Sequence, residues 1–192
     1  MKGIKCVIAL ISILLLSGCA SPSIEPSNQI SSENGIVWGS MAYEGNYADY
    51  QVHFKNVKTG KKHFISLSAS INNLGLFAIE LPEGSYTFTG WQVSQQFISV
   101  KKMGDTGHRF KSTSGASTYL GQIHFSSRES SGSKQPEIEA SLRNRYTLDV
   151  KHWKTAFADF SLQTQGEQQV VGQSALCQSC TIAVTYTPAQ IR

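Results

Sequence analysis

Cys177-Gln178-Ser179-Cys180 is the spacing in this chain best suited to chemistry. Dithiol redox work needs the first cysteine at a helix N-terminus, where the dipole lowers the thiol pKa. Here the pair precedes Thr181-Ile182-Ala183-Val184-Thr185-Tyr186, a β-branched run that reads as a strand. Covalent haem needs a histidine directly after the second cysteine, and position 181 is Thr. Structural zinc needs four ligands, and the sequence holds neither a second cysteine pair nor a paired-histidine motif. The reading adopted is a short structural disulfide, Cys177–Cys180. Residues three apart on one extended strand cannot be bridged. The chain is therefore expected to turn at Gln178-Ser179, with the two cysteines closing a hairpin.

The other reactive side chains do not converge. His53, His63, His108, His124 and His152 are scattered, without His-x-x-x-His or His-Glu-x-x-His spacing, so no metal site is expected. His53 falls on the solvent parity of its strand. No Gly-x-Ser-x-Gly or Ser-x-x-Lys motif places a nucleophile beside a base, and no acid pair has glycosidase spacing. Neither a catalytic residue nor a cofactor is expected. Lys55, Lys58, Lys61 and Lys62 cluster at one hairpin tip. They read as a solvated, aggregation-resistant edge, against a competing reading as a patch for anionic lipid headgroups or cell-wall polymers. Trp38, Trp91 and Trp153 read as core rather than as a carbohydrate platform.

One thiol has a different setting. Lys2 and Lys5 precede an apolar run from Cys6 to Leu16, followed by Leu16-Ser17-Gly18-Cys19. A basic start, a short apolar stretch and small residues make a secretory signal. The run has 11 residues, too few for the roughly 20 that cross a bilayer. The segment resembles the bacterial lipobox. That resemblance implies cleavage between Gly18 and Cys19, diacylglycerol on the Cys19 sulfur and acylation of the new amino terminus, palmitate being a typical acyl group. Ala20 follows, and in the Gram-negative lipoproteins it resembles, a non-aspartate there allows export to the outer membrane. The expected address is the outer membrane facing the periplasm, or the cell membrane where no outer one exists. Several acyl chains give stable tethering, so the membrane is the one partner expected outright.

The elements around these residues follow from composition. Loss of residues 1–18 leaves 174 of 192, enough for one domain with a sizeable core. The signal takes two of 17 basic residues and none of the 13 acids, leaving a net charge of +2. That balance and an exported address argue against nucleic acid. Residues 19–34, rich in Ser, Pro and Asn, read as a linker, and residues 35–192 as one domain with an exposed loop at 126–137. Ile36–Tyr43 reads as a strand, and Tyr50–Val57 with Lys62–Ser68 as a hairpin. A two-residue turn at Thr59-Gly60 would pair Phe54 with Ile65 and Val52 with Leu67; a slip of one residue would send Ile65 and Leu67 to the opposite face. Leu74–Leu81, Tyr86–Trp91, Phe97–Val100, Tyr119–Phe125, Val170–Ala175 and Thr181–Thr187 are further strands. Val150, Trp153, Phe157 and Phe160 recur at helical spacing, predicting one amphipathic helix at 150–161 with Asp149 as N-cap.

Gly75-Leu76-Phe77-Ala78-Ile79-Glu80-Leu81-Pro82-Glu83-Gly84-Ser85-Tyr86 resembles the hairpin of transthyretin-like modules, such as the carboxypeptidase regulatory domain and the collagen-adhesin B-type repeats. Phe77, Ile79 and Leu81 would point inward, Pro-x-Gly would reverse the chain, and Tyr86 would pack on the return. Tyr119-Leu120-Gly121-Gln122-Ile123 is similar to a strand of small bacterial lipoproteins with this fold. The resemblance implies a mainly β, transthyretin-like (prealbumin-like) β-sandwich with one short helix in the C-terminal third. Such modules are accessory domains, and no catalytic residue transfers. The expectation is a non-enzymatic interaction or scaffolding lipoprotein of the envelope. The alternative is a ligand-binding lipoprotein for a cell-wall polymer or small molecule.

Overall fold

The computed structural model describes residues 31–45, 47–68, 75–128, 137–156, 173–177 and 180–186. The signal, Cys19, most of the linker, most of loop 126–137, Phe157, Phe160 and the Gln178-Ser179 turn lie outside the described residues.

The chain is mainly β. In order it forms β1 (Asn34–Tyr43), β2 (Asp49–Asn56), β3 (Lys62–Ser68), β4 (Leu76–Pro82), β5 (Gly84–Gln95), β6 (Ile98–Met103), β7 (Arg109–Ser112), β8 (Ser117–Arg128), β9 (Glu137–Arg143), α1 (Tyr146–Ala156), β10 (Gln173–Ala175) and β11 (Thr181–Tyr186). The first sheet has the order β10-β9-β8-β1-β4. The second has the order β11-β6-β5-β2-β3, with β7 also pairing with β5. Val37, Phe77, Ile79, Leu120 and Phe125 of the first sheet meet Tyr50, Val52, Phe54, Phe88 and Trp91 of the second in one core. Alternation places the core residues of β2 and β4, while β5 and β8 change parity at register shifts between Phe88 and Trp91 and between Leu120 and Ile123.

The first sheet is buried on both faces. Ile36, Trp38, Leu76, Ala78 and Tyr119 point away from that core and pack under Trp153, Val150 and Tyr146 of α1. This explains why β4 carries apolar residues on both parities. All three tryptophans are buried, so none of them forms an exposed carbohydrate platform.

Several expectations need correction. The β2–β3 register pairs Val52 with Ile65 and Phe54 with His63, two residues away from the two-residue-turn register. The Asn56 carboxamide accepts from the Lys58 and Thr59 amides, both at 2.9 Å. The Asn56 amide donates to the Lys61 carbonyl, so four residues, 57–60, close the loop, with Gly60 at φ 70°. A slip of two preserves the faces, so the core assignment is unaffected. Pro82-Glu83-Gly84 is a corner between sheets rather than a hairpin, because β4 pairs with β1 and β5 with β2. The Tyr86 hydroxyl donates to the Pro82 carbonyl at 2.9 Å, a hydrogen bond of the tyrosine-corner kind. The helix starts at Tyr146, where the Asn144 side chain accepts from the Tyr146 amide at 3.2 Å. Asp149 is therefore inside the first turn and is not the N-cap. Strands β7 and β9 were not expected from the pattern.

Candidate functional site

Strand direction gives the sandwich two unlike ends. Asn34 lies opposite Pro82, Gly84 opposite Ser112, and Asn56 opposite Tyr86. All six residues therefore sit at one end, which we call proximal because the chain enters β1 there. Tyr43 lies opposite Phe125, Asp49 opposite Ser94, and Ile98 opposite both Gln95 and Tyr186. These mark the distal end.

The proximal end is cationic. Lys55, Lys58, Lys61, Lys62, Arg109 and Lys111 are all exposed there. Lys55 stands directly opposite Lys62, and one strand further along the same row Thr87 stands opposite Arg109. Among the described residues no ion pair joins any of the six to an acid; the pair present is His124 with Glu44, at 3.1 Å. Two grooves open at this end. One, about 600 Å³, is lined by Asn56, Lys58, Lys61, His63 and Glu83 among others. The other, about 300 Å³, includes Lys55, Thr87, Asp105 and Arg109. His63 is buried and its ring lies parallel to Phe54, centroids 5.4 Å apart. Burial, then the Lys61 charge, push its pKa down.

The distal end carries exposed apolar side chains, with the exposed Glu44 also there. Phe97 and Ile98 in and beside the β5–β6 turn are 48% and 40% exposed. Val93, Val100 and Val184 run across one face of three paired strands. Val93 is fully buried, Val100 half-buried and Val184 36% exposed. Ile182, on the same face of β11, is 55% exposed. The core-facing side of the second sheet thus runs out into solvent at β11. The sequence marked β11 as a strand, but the exposure of its apolar face depends on which strands reach across it.

Cys177 and Cys180 are bridged, with Cα atoms 5.7 Å apart. They do not close a hairpin: β10 pairs with β9 in the first sheet and β11 with β6 in the second. The bridge clasps the crossing between sheets, with Cys177 buried and Gly104 of the β6–β7 connection against Cys180.

The histidines stay apart. His53 is half-buried, not solvated, and its Nε2 is buried without a partner. Burial, then Lys101, lower its pKa to about 4. His124 is buried on the helix side of the first sheet. Its pKa is lowered by burial and Arg143, partly offset by Glu44. His108 meets the Ala175 carbonyl at 2.9 Å.

A buried polar knot went unforeseen. Asp149 of α1 accepts from Ser40 Oγ at 2.7 Å and from Tyr119 Oη at 2.6 Å. Burial first, then the hydrogen bond to Asp149 and its charge, raise the Tyr119 pKa and keep the hydroxyl a donor. Both hydroxyls donate to the one carboxylate, and this arrangement fastens the helix to the sheet. Its members are 109 and 30 residues apart, beyond the reach of any spacing rule.

Comparisons of the chain with protein-family models, with curated proteins and with solved structures give no match.

Proposed function

We propose that this chain is a lipid-anchored, non-enzymatic module of the bacterial envelope, tethered through Cys19, that docks another protein with its distal end. The observation that carries this reading is the exposed apolar strip Phe97, Ile98, Ile182 and Val184. Contiguous exposed apolar surface marks interaction sites. We further assign the domain to the transthyretin-like modules. The two facing sheets closed over one core support this assignment.

The test is photocrosslinking in intact cells from positions 97 and 182, with position 111 as the proximal control. The proposal expects a discrete protein adduct from both distal positions and none from position 111. Equal labelling from all three, or no protein adduct from either distal position, would overturn it.

A further inference from the structure

The tether and the basic cluster share one end of the molecule, although the sequence separates them. The chain enters β1 at Asn34, which lies opposite Pro82. The Asn34 side-chain amide donates to Glu80 at 2.7 Å, and the Ser31 amide donates to the same carboxylate at 2.9 Å. Pro82, Glu83 and Gly84 then line the groove that also holds Lys58 and Lys61. Lys111 stands opposite Ser85, and Arg109 opposite Thr87. Ser31 and Asn34, pinned by Glu80, therefore sit at the end of the sandwich that carries the six exposed cations. Glu83 and Asp105 in the groove linings, with Glu80 and Glu33 at the chain entry, oppose them, so cations outnumber acids six to four at this end. Like charges directly across two strands, as at Lys55 and Lys62, repel, and a surface of negative charge relieves that repulsion.

We infer that the proximal end is a membrane-facing surface that docks on the phosphate headgroups of an anionic bilayer. Docking sets the domain upright with its distal end away from the lipid. This rests on the Cys19 anchor: acyl chains hold the domain near the bilayer, and the cations then set its orientation, two signals acting together. A basic residue near an anionic surface contributes about fivefold to such an equilibrium, screened within about a Debye length. Replacing Lys58, Lys61 and Lys62 should therefore shift the docked-to-undocked ratio about a hundredfold.

The full-length protein, processed in cells and reconstituted in vesicles, provides the test. A fluorophore at Thr59→Cys on the hairpin tip is read against a headgroup quencher. Vesicles are phosphatidylcholine alone or phosphatidylcholine with phosphatidylglycerol. Strong quenching is expected only with phosphatidylglycerol, and it should vanish at high salt and in the Lys58→Gln, Lys61→Gln, Lys62→Gln variant. A fluorophore at Phe97→Cys should stay unquenched in both. Equal quenching at position 59 in both vesicles, or in the variant, would overturn the inference. So would loss of the signal to soluble pyrophosphate at constant ionic strength without any effect of lipid composition. Co-sedimentation with phosphatidylcholine alone reads the anchor separately, since acyl chains need no charge. If that fails, salt-sensitive, lysine-dependent sedimentation with the anionic vesicles still decides the inference.

Discussion

Replacing Asp149 by Ala removes the acceptor that joins α1 to the first sheet. Asp149 is 1% exposed, and its carboxylate receives the Ser40 and Tyr119 hydroxyls at 2.7 and 2.6 Å. A hydrogen bond to a charged group contributes about 1.5–3 kcal/mol, and an orphaned buried partner costs about 1–3 kcal/mol. Loss of both donors' acceptor should lower stability by about 3–5 kcal/mol, since the broken terms overlap. That is a large share of the roughly 5–15 kcal/mol that holds a domain together. Tyr119→Phe alone removes one donor and should cost about 1.5–3 kcal/mol. In the Asp149→Ala background the hydroxyl keeps only its hydrogen bond with the Arg145 backbone, so the same change should cost less, about 0.5–1.5 kcal/mol. Urea unfolding followed by tryptophan fluorescence provides the assay. Trp38 lies 5.4 Å from Trp153 and 4.7 Å from Tyr119, centroid to centroid, so emission reports on helix docking directly. A cost for Asp149→Ala below about 1 kcal/mol, within the range of ordinary substitutions, would refute the reasoning. So would an unchanged Tyr119→Phe cost in the two backgrounds.

Three further outcomes follow from the same geometry. Tyr86→Phe deletes the hydrogen bond to the Pro82 carbonyl and should cost about 0.5–1.5 kcal/mol in denaturant titrations; no loss would remove the corner from the list of fold determinants. Gly90 sits at φ 133° where the β2–β5 register shifts, and an added Cβ meets the Lys102 carbonyl oxygen, so Gly90→Ala should cost about 1–3 kcal/mol by thermal melting. His53 titrates at about 4 in the fold against 6.5 ordinarily, so the unfolded chain takes up its proton first. Stability should fall as pH drops from 6.5 towards 4 and level off below. His53→Gln should flatten that slope, leaving the parts due to His63 and His124; an unchanged slope would count against the assignment.

Where the sequence was legible, one local rule decided the outcome. Alternation placed Val52, Phe54 and Ile65 in the core correctly, because parity survives a two-residue slip. The register itself was misread, because Asn56 caps its own loop and so lengthens the turn. The Pro82-Glu83-Gly84 signal named a bend but not its partners, since a corner between sheets and a hairpin use the same turn residues. The helical stripe of Val150 and Trp153 was visible, yet its start depended on Asn144 and its depth on Trp38 and Tyr119. Strand β7 is four residues, Arg-Phe-Lys-Ser, with a single apolar side chain, too short to rise above its Gly-rich surroundings. The lysine cluster was legible as a cluster. Its place at the end where the chain enters β1 was not, because it depends on Asn34 pairing with Pro82, 48 positions away.

Cys19 is where the account is most exposed. Mass spectrometry of the amino-terminal peptide from membranes of cells fed labelled palmitate examines it in one step. The account predicts a chain that begins at an acylated, diacylglycerol-bearing Cys19. A chain that retains Met1 and carries a bare thiol at position 19 would contradict it, and with it the membrane-facing role of the basic end.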